Sequence, residues 1–350
     1  MYDSVRDYLQ LSEAELAFLQ KVEQQINIVA DLSRADILLY SRQSEGEAII
    51  LAHAQPHSLA HVYNKNRKGR VIDPALRPEV WQALIAGTSQ REQRSHISEG
   101  APVVRQAWPI HFPPPYSLNE ARPKRGRSRT IASLVVVTNL IEYERQRYRS
   151  KLFRRALKKL QQMVLYGHLS GAESLSPFGE QDGIIFVDAN GIIRYASGIA
   201  ANLFRRLGYI DTLIGRPLSD LETEDASLRR AALEQNRCLE AEHQEGHRFF
   251  TRKALPLVSY PSFLGQWLAG LGRPNPAQPF GMFITLQDNT ESRRQDQELQ
   301  IKNAMIQEVH HRVKNNLQTI AGLLRMQMRR VTSAEARTVL EETLHRILSI

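Results

Sequence analysis

The chain has 350 residues, 42% hydrophobic and 24% charged, the composition of a globular protein with room for roughly two to three domains. Its single cysteine, Cys238, excludes a disulfide framework and any cysteine-built zinc cluster, and suits a reducing cytoplasm. The formal net charge of +9 raises nucleic acid or an acidic membrane surface as partners, yet residues 291–350 carry ten Lys/Arg against seven Asp/Glu, too near balance for a basic clamp.

The opening Met1-Tyr2-Asp3-Ser4-Val5-Arg6-Asp7 is no signal peptide. Ser12–Leu32 reads as a helix, Ile37–Tyr40 and Ala48–Ala54 as strands around Ser44-Glu45-Gly46-Glu47, and Val80–Ala86 as a short helix after Pro78. Late strands at Val103–Ile110 and Ile131–Val137 flank the basic segment Arg122-Pro123-Lys124-Arg125-Gly126-Arg127-Ser128-Arg129. That segment has turn composition and no interleaved aromatics, so a solvated hairpin tip is preferred over a polyanion contact. The expected product is an antiparallel sheet with helices on one face. His53, His57 and His61 fall four apart, but Pro56 argues against a helix there, and neither they nor His96 and His111 make an expected metal site. The run Ile131–Ile141 is broken by Ser133, Thr138 and Asn139 and is too short to span a membrane.

Glu142–Leu169 reads as a basic helix in which Phe153, Leu157, Leu160 and Val164 form a 4-3-4 stripe flanked by Arg154, Arg155, Lys158 and Lys159. Two readings stand: a connector seam in a parallel dimer, which we prefer, or a helix packed on its own domain. Gly167–Gly179 reads as a hinge or linker. Beyond it, Gly183–Ser197 gives two short strands joined by Asn190-Gly191, followed by a helix at Ala200–Leu207 and the turn Ile214-Gly215-Arg216-Pro217-Leu218. Closing strands are expected at Phe249–Leu257 and Phe280–Gln287, with a Gly- and Pro-rich loop carrying Trp267 between them. Cys238 reads as a free thiol, and His243 and His247 as the polar end of a helix or strand rather than metal or haem ligands. In Asp288-Asn289-Thr290-Glu291, the Asp288 carboxylate or the Thr290 hydroxyl can cap the next helix.

That next helix, Gln295–Arg330, has no Pro and only one Gly, Gly322. At 100° per residue with Val309 at zero, Met305, Val313, Leu317, Ile320, Leu323, Leu324 and Val331 fall within about 60° of one line, read as a buried seam. His311 lands near 200°, opposite that line, and His310 near 100°, on its shoulder. Glu308 and Asn315 share the His311 face. An exposed neutral imidazole suits phosphoryl acceptance, although helix geometry alone is equally met by two ordinary surface histidines.

The string Glu308-Val309-His310-His311-Arg312-Val313-Lys314-Asn315-Asn316-Leu317-Gln318, continued by Ile320-Ala321-Gly322-Leu323-Leu324-Arg325-Met326-Gln327, resembles the phosphoacceptor box of bacterial sensor histidine kinases. It is similar to the HWE-related HisKA_2 subgroup, where the acceptor His is followed by Arg-x-x-Asn. The resemblance extends upstream: residues 1–141 resemble a GAF-like sensor domain, 142–178 a helical linker, and 179–290 a PAS domain ending in an Asp-x-Thr signal junction at Asp288 and Thr290. Residues 291–350 resemble the dimerisation and phosphotransfer helices. What the resemblance implies is an α+β multidomain chain, with two α/β sensor domains joined by helical linkers to an α-helical hairpin. His311 would be the phosphoacceptor, with Glu308, Arg312 and Asn315 in support. The resemblance further implies a cytoplasmic homodimer, ATP with magnesium, and a response-regulator receiver domain as partner. The soluble actinobacterial kinases of this kind pair with regulators carrying an ANTAR domain.

After Ser333, a possible cap, a second helix carries Val339, Leu340, Leu344, Ile347 and Leu348 on its apolar side. No Gly-rich ATP lid and no Asp-x-Gly-x-Gly occurs, so these residues by themselves are expected to be inactive as a kinase, and the end at Ile350 reads as a truncation. Two other classes stay open: a non-catalytic dimeric sensor or phosphotransfer adaptor, and a nucleic-acid-binding regulator using residues 122–129. The charge layout disfavours nucleic acid, and no membrane partner is expected.

Overall fold

The computed structural model describes residues 11–44, 46–57, 61–91, 96–115, 128–260 and 277–348, and its chain divides into two units, Met1–Asp288 and Asn289–Ile350. Helix α1 (Glu13–Ser33) opens the first unit with a capping box: Ser12 Oγ accepts the Glu15 N–H, and the Glu15 carboxylate accepts the Ser12 N–H at 2.8 Å. Leu19, Val22, Ile26 and Val29 recur at helical spacing and are buried. Arg34, in the left-handed region, ends the helix.

A seven-stranded antiparallel sheet follows, made of β1 (Asp36–Ser44), β2 (Glu47–Ala54), β3 (Val71–Ile72), β4 (Gln90–Arg91), β5 (His96–Ser98), β6 (Ala101–Phe112) and β7 (Arg129–Asn139), with α2 (Pro78–Ala86) between β3 and β4. Its order is β3-β2-β1-β7-β6-β4, with β5 also paired to β6. Helices on one face were expected; both faces are covered. Ile37, Leu39, Leu134 and Val136 join the core that contains α1, while Leu38, Tyr40, Val135 and Val137 meet Val80, Ala83 and Leu84 of α2. The consecutive apolar residues Leu134, Val135, Val136 and Val137 in β7 are the reason, because period-two alternation then offers apolar side chains to both faces.

Helices α3 (Leu140–Tyr148) and α4 (Lys151–Leu165) come next. The α4 stripe does not form an open dimer seam: Phe153, Leu157, Leu160 and Val164 are buried within the chain, in one core with α1 and with Phe186, Leu255 and Phe283 of a second sheet. The Phe153 ring lies 4.5 Å from that of Tyr195 and 5.4 Å from that of Phe283. The stripe thus finds apolar partners on its own chain, where burial carries no association entropy.

The second sheet comprises β8 (Gly183–Asp188), β9 (Ile193–Ala196), β10 (Leu239–Glu245), β11 (Arg248–Ser259) and β12 (Gln278–Asp288), ordered β10-β11-β12-β8-β9 and antiparallel throughout. Its Asn-Gly turn is fixed by the Asp188 carboxylate, which accepts the N–H groups of Asn190 at 2.9 Å and Ile192 at 3.0 Å. Helices α5 (Gly198–Arg206) and α6 (Asp225–Glu234) bury Leu203, Phe204 and Leu228 against Ile185, Val187 and Ile284. His243 lies within β10, and Cys238, just before it, is a buried free thiol that burial pushes up to about 12. Residues 122–127 of the basic segment and 261–276 of the loop with Trp267 lie outside the described residues.

The expected hinge at 167–179 is tied down instead. Gln25 Oε1 accepts the Leu169 N–H, Ser170 O accepts the Cys238 N–H at 2.8 Å, and Asp31 Oδ2 accepts the Phe178 N–H at 3.2 Å. A Cβ at Gly171, where φ is +82°, would stand 2.5 Å from Cys238 O, so only glycine fits. Lys253 Nζ donates to Pro177 O at 2.9 Å and lies 4.0 Å from Asp182, both side chains buried. Burial raises the Asp182 carboxyl to about 6 and lowers Lys253.

Arg129, the last residue of the basic segment, is engaged: its Nε and Nη2 donate to Glu15 Oε1 and Oε2, each at 2.6 Å. That hydrogen bonding holds the Glu15 carboxyl down at about 2. A carboxyl depressed on folding contributes stability above its ordinary value near ~4.3 and loses it as pH falls towards the folded value. Arg129→Gln should therefore cost about 1–2 kcal/mol at pH 7, and the gap from the unsubstituted protein should narrow as pH falls from about 4 towards 2, measured by urea unfolding at each pH.

Candidate functional site

The second unit is a helical hairpin of α7 (Thr290–Met328) and α8 (Ala334–Leu348), joined by a turn in which Ser333 Oγ accepts the Ala336 N–H at 3.5 Å. The absence of Pro through 39 residues lets α7 run unbroken. Its N-cap position is held by Asn289, whose side chain makes no cap bond. Thr290 is the first helical residue. Asp288, at the end of β12, accepts Arg248 Nη1 at 2.9 Å, with Arg206 Nη1 at 3.7 Å. Its carboxylate thus meets one cation of its own sheet and one of α5 in charge-assisted contacts.

His311 sits mid-helix in α7 and is exposed, as is His310. Their directions separate them. Leu317, Ala321, Leu324 and Met328, four of the covered or half-covered residues of α7, lie between about 60° and 120° on the helical wheel, the line that also contains His310, whereas the half-covered Gly322 lies near 220°. Leu340, Leu344 and Ile347 of α8 are half-buried in the hairpin. His311 lies about 100° further round, clear of that contact.

The apolar line was expected to be a buried seam; within one chain it is not. Met305 is 64% exposed, Val309 58%, Leu323 54%, and Val313 and Ile320 44% each. A two-helix hairpin can cover only one side of so broad a stripe, and α8 takes the flank nearest Ala321.

Around His311, Glu308 is already paired: its Oε1 accepts Arg312 Nε at 2.7 Å, and both side chains are mainly exposed. This i,i+4 Glu-to-Arg pair was legible in the spacing, yet each was read only as a support for His311. Asn315 lies four residues beyond His311 on its face, with its backbone carbonyl taking the Thr319 hydroxyl at 2.9 Å. Among the described residues no side chain hydrogen-bonds the His311 ring, and no group of three His, Cys, Asp or Glu is arranged to hold a metal. No helix among them is long and apolar enough to cross a membrane.

Comparison with known proteins matches the same two regions. The model of the GAF domain of histidine kinase PdtaS matches residues 1–156, and the HisKA_2 histidine kinase model matches residues 308–350, which include the His311 string. In these two regions the chain is similar to two-component sensor histidine kinases of the HisKA_2 type. The relatives in question are PdtaS kinases. The sensor histidine kinase PdtaS of Mycobacterium tuberculosis is 28% identical over 369 residues, covering 99% of this chain and 67% of that protein, and the Mycolicibacterium smegmatis protein is 28% identical over 367 residues with the same coverage. A solved sensor region of a sensor histidine kinase shares the fold, with a TM-score of 0.57 at 20% identity over 83% of this chain and 98% of that one.

Differential solvent access is directly measurable. Diethyl pyrocarbonate should modify His311 rapidly and leave His53 protected, because His53 is fully buried between Asp36 and the Arg67 N–H; peptide mass mapping over time checks the order.

Proposed function

We propose that His311 is the phosphoacceptor of this kinase, taking a phosphoryl group from ATP and passing it to an aspartate of a response-regulator receiver domain. The observation that carries this reading is the exposed His311 ring, mid-helix and turned away from both the α8 contact and the open apolar line. ATP, with magnesium, would be bound outside residues 1–350, in keeping with the relatives' greater length. The regulator would be of the ANTAR antitermination type, and the cytoplasm the site of action, as the lone reduced Cys238 suits.

Phosphoryl transfer asks the protein chiefly for alignment and charge stabilisation. The unprotonated nitrogen of the neutral His311 ring attacks the γ-phosphorus as the bond to the ADP oxygen breaks, and the proton on the other ring nitrogen passes to a nearby base. Glu308 is the proposed base or orienting group, Arg312 the offset for phosphate charge, and Asn315 a donor to the phosphoryl oxygens. The Glu308–Arg312 bridge is exposed and worth under about 1 kcal/mol, so Arg312 can leave it for a phosphate. Asp288 and Thr290 would mark the junction through which the sensor region biases the helix. In the intact kinase, His311→Gln should abolish phosphorylation from ATP, and His310→Gln should retain it; scintillation counting of the labelled protein decides between them.

The open line of Met305, Val309, Val313, Ile320 and Leu323 supports a homodimer, in which two hairpins close a four-helix bundle about a two-fold axis. Sedimentation should give a dimer at micromolar concentration, and Val309→Glu with Leu323→Glu should shift it to monomer.

A further inference from the structure

Between β6 and the helices α3 and α4 runs a groove of about 750 Å³, within the size range of small-molecule sites. One wall is cationic, with Arg147, Arg154 and Lys158 projecting from the helices, and a shallower hollow of about 220 Å³ extends it along Lys151 and Arg155. Among the described residues no Asp or Glu lines either space. Arg147 is shared with Glu144 at 3.1 Å. Arg154 has no carboxylate partner among the described residues, and its Nε is buried with no hydrogen-bond acceptor. The cations at 151, 154, 155 and 158 stand three and four residues apart, where like charges repel along a helix face. An anion placed among them would relieve that repulsion and satisfy the buried N–H.

The rest of the lining is largely aromatic, apolar or neutral polar. Trp108, on the face of β6 turned towards α4, packs partly against the core and lines the groove with Tyr143, Tyr166 and Leu157. The carboxamides of Gln106, Gln161 and Gln162 stand among them as donors and acceptors. A solvated cationic face on an amphipathic helix is commonplace, but such a face does not ordinarily close over an indole and two phenol rings.

We propose that this groove binds a small organic anion: a planar, mainly apolar ring body that stacks on Trp108, bearing a phosphate, sulfonate or carboxylate head held between Arg154 and Lys158. The site stands independently of the phosphotransfer reading. It joins β6 to α4, so an occupant would grip the helix whose other face fills the core between the two sheets.

The probe is 8-anilinonaphthalene-1-sulfonate, an aryl anion, set against N-phenyl-1-naphthylamine, the same ring body without charge. Titrated into this chain and read by fluorescence, the sulfonate should saturate at one site per chain, and the neutral dye should bind at least about tenfold more weakly. Arg154→Gln and Lys158→Glu should each weaken the sulfonate about tenfold with circular dichroism and thermal midpoint unchanged, and Trp108→Leu should weaken both dyes. Equal affinity for the two dyes, non-saturable binding, or sulfonate binding indifferent to Lys158→Glu would overturn the proposal. Should Trp108→Leu fail to fold, the exposed Lys158→Glu still decides it.

Discussion

The apolar stripe of α4 is buried twice over, against α1 and against the second sheet, and most of the first unit follows from it. Phe153, Leu160 and Val164 are almost fully removed from solvent, and each such side chain contributes roughly 1.5–3 kcal/mol of transfer free energy. A helix used in this way is no loose tether. It makes one continuous core of side chains from both sheets, so a shift of α4 on one side must be repacked on the other. The pinning of 167–179 through Gln25, Asp31, Cys238 and Lys253 closes the same connection along the backbone.

The second unit obeys the opposite logic. The first unit turns its apolar stripes inward, whereas α7 keeps a broad one open and gives only a flank to α8. In the function proposed above, a helix that leaves Val309, Ile320 and Leu323 exposed while holding polar residues opposite them would divide its circumference between association and chemistry, with His311 in the second sector. The fold would tolerate many residues there; what singles out the position is an imidazole with a cation, a carboxylate and a carboxamide within a turn of it.

Much of this was legible in the residues, and the gaps have physical causes. The strands around Ile37–Tyr40, Ala48–Ala54 and Ile131–Val137 announced themselves through short apolar runs, and α1 through its cap and spacing. What such patterns do not state is the partner. A 4-3-4 stripe in α4 suits a coiled coil and a core equally, and only the presence of Tyr195 and Phe283 across from Phe153 separates them. Strand β10 was missed because Leu-Glu-Ala-Glu-His-Gln-Glu is a half-exposed polar edge with little apolar alternation. The Asp288 carboxylate was read locally as a cap, whereas Arg248, forty residues away in sequence, reaches it across the β11–β12 ladder. At the candidate site, the direction of His311 came from helical period alone, but the Glu308–Arg312 pairing depends on rotamers that period does not report.

The central claim is that one imidazole, and not its neighbour, accepts the phosphoryl group. Its most direct test is to phosphorylate the intact kinase with ATP, digest it at alkaline pH where phosphohistidine survives, and sequence the labelled peptide by electron-transfer fragmentation. The account predicts phosphate on His311 alone; phosphate on His310, or on a residue outside α7, would contradict it.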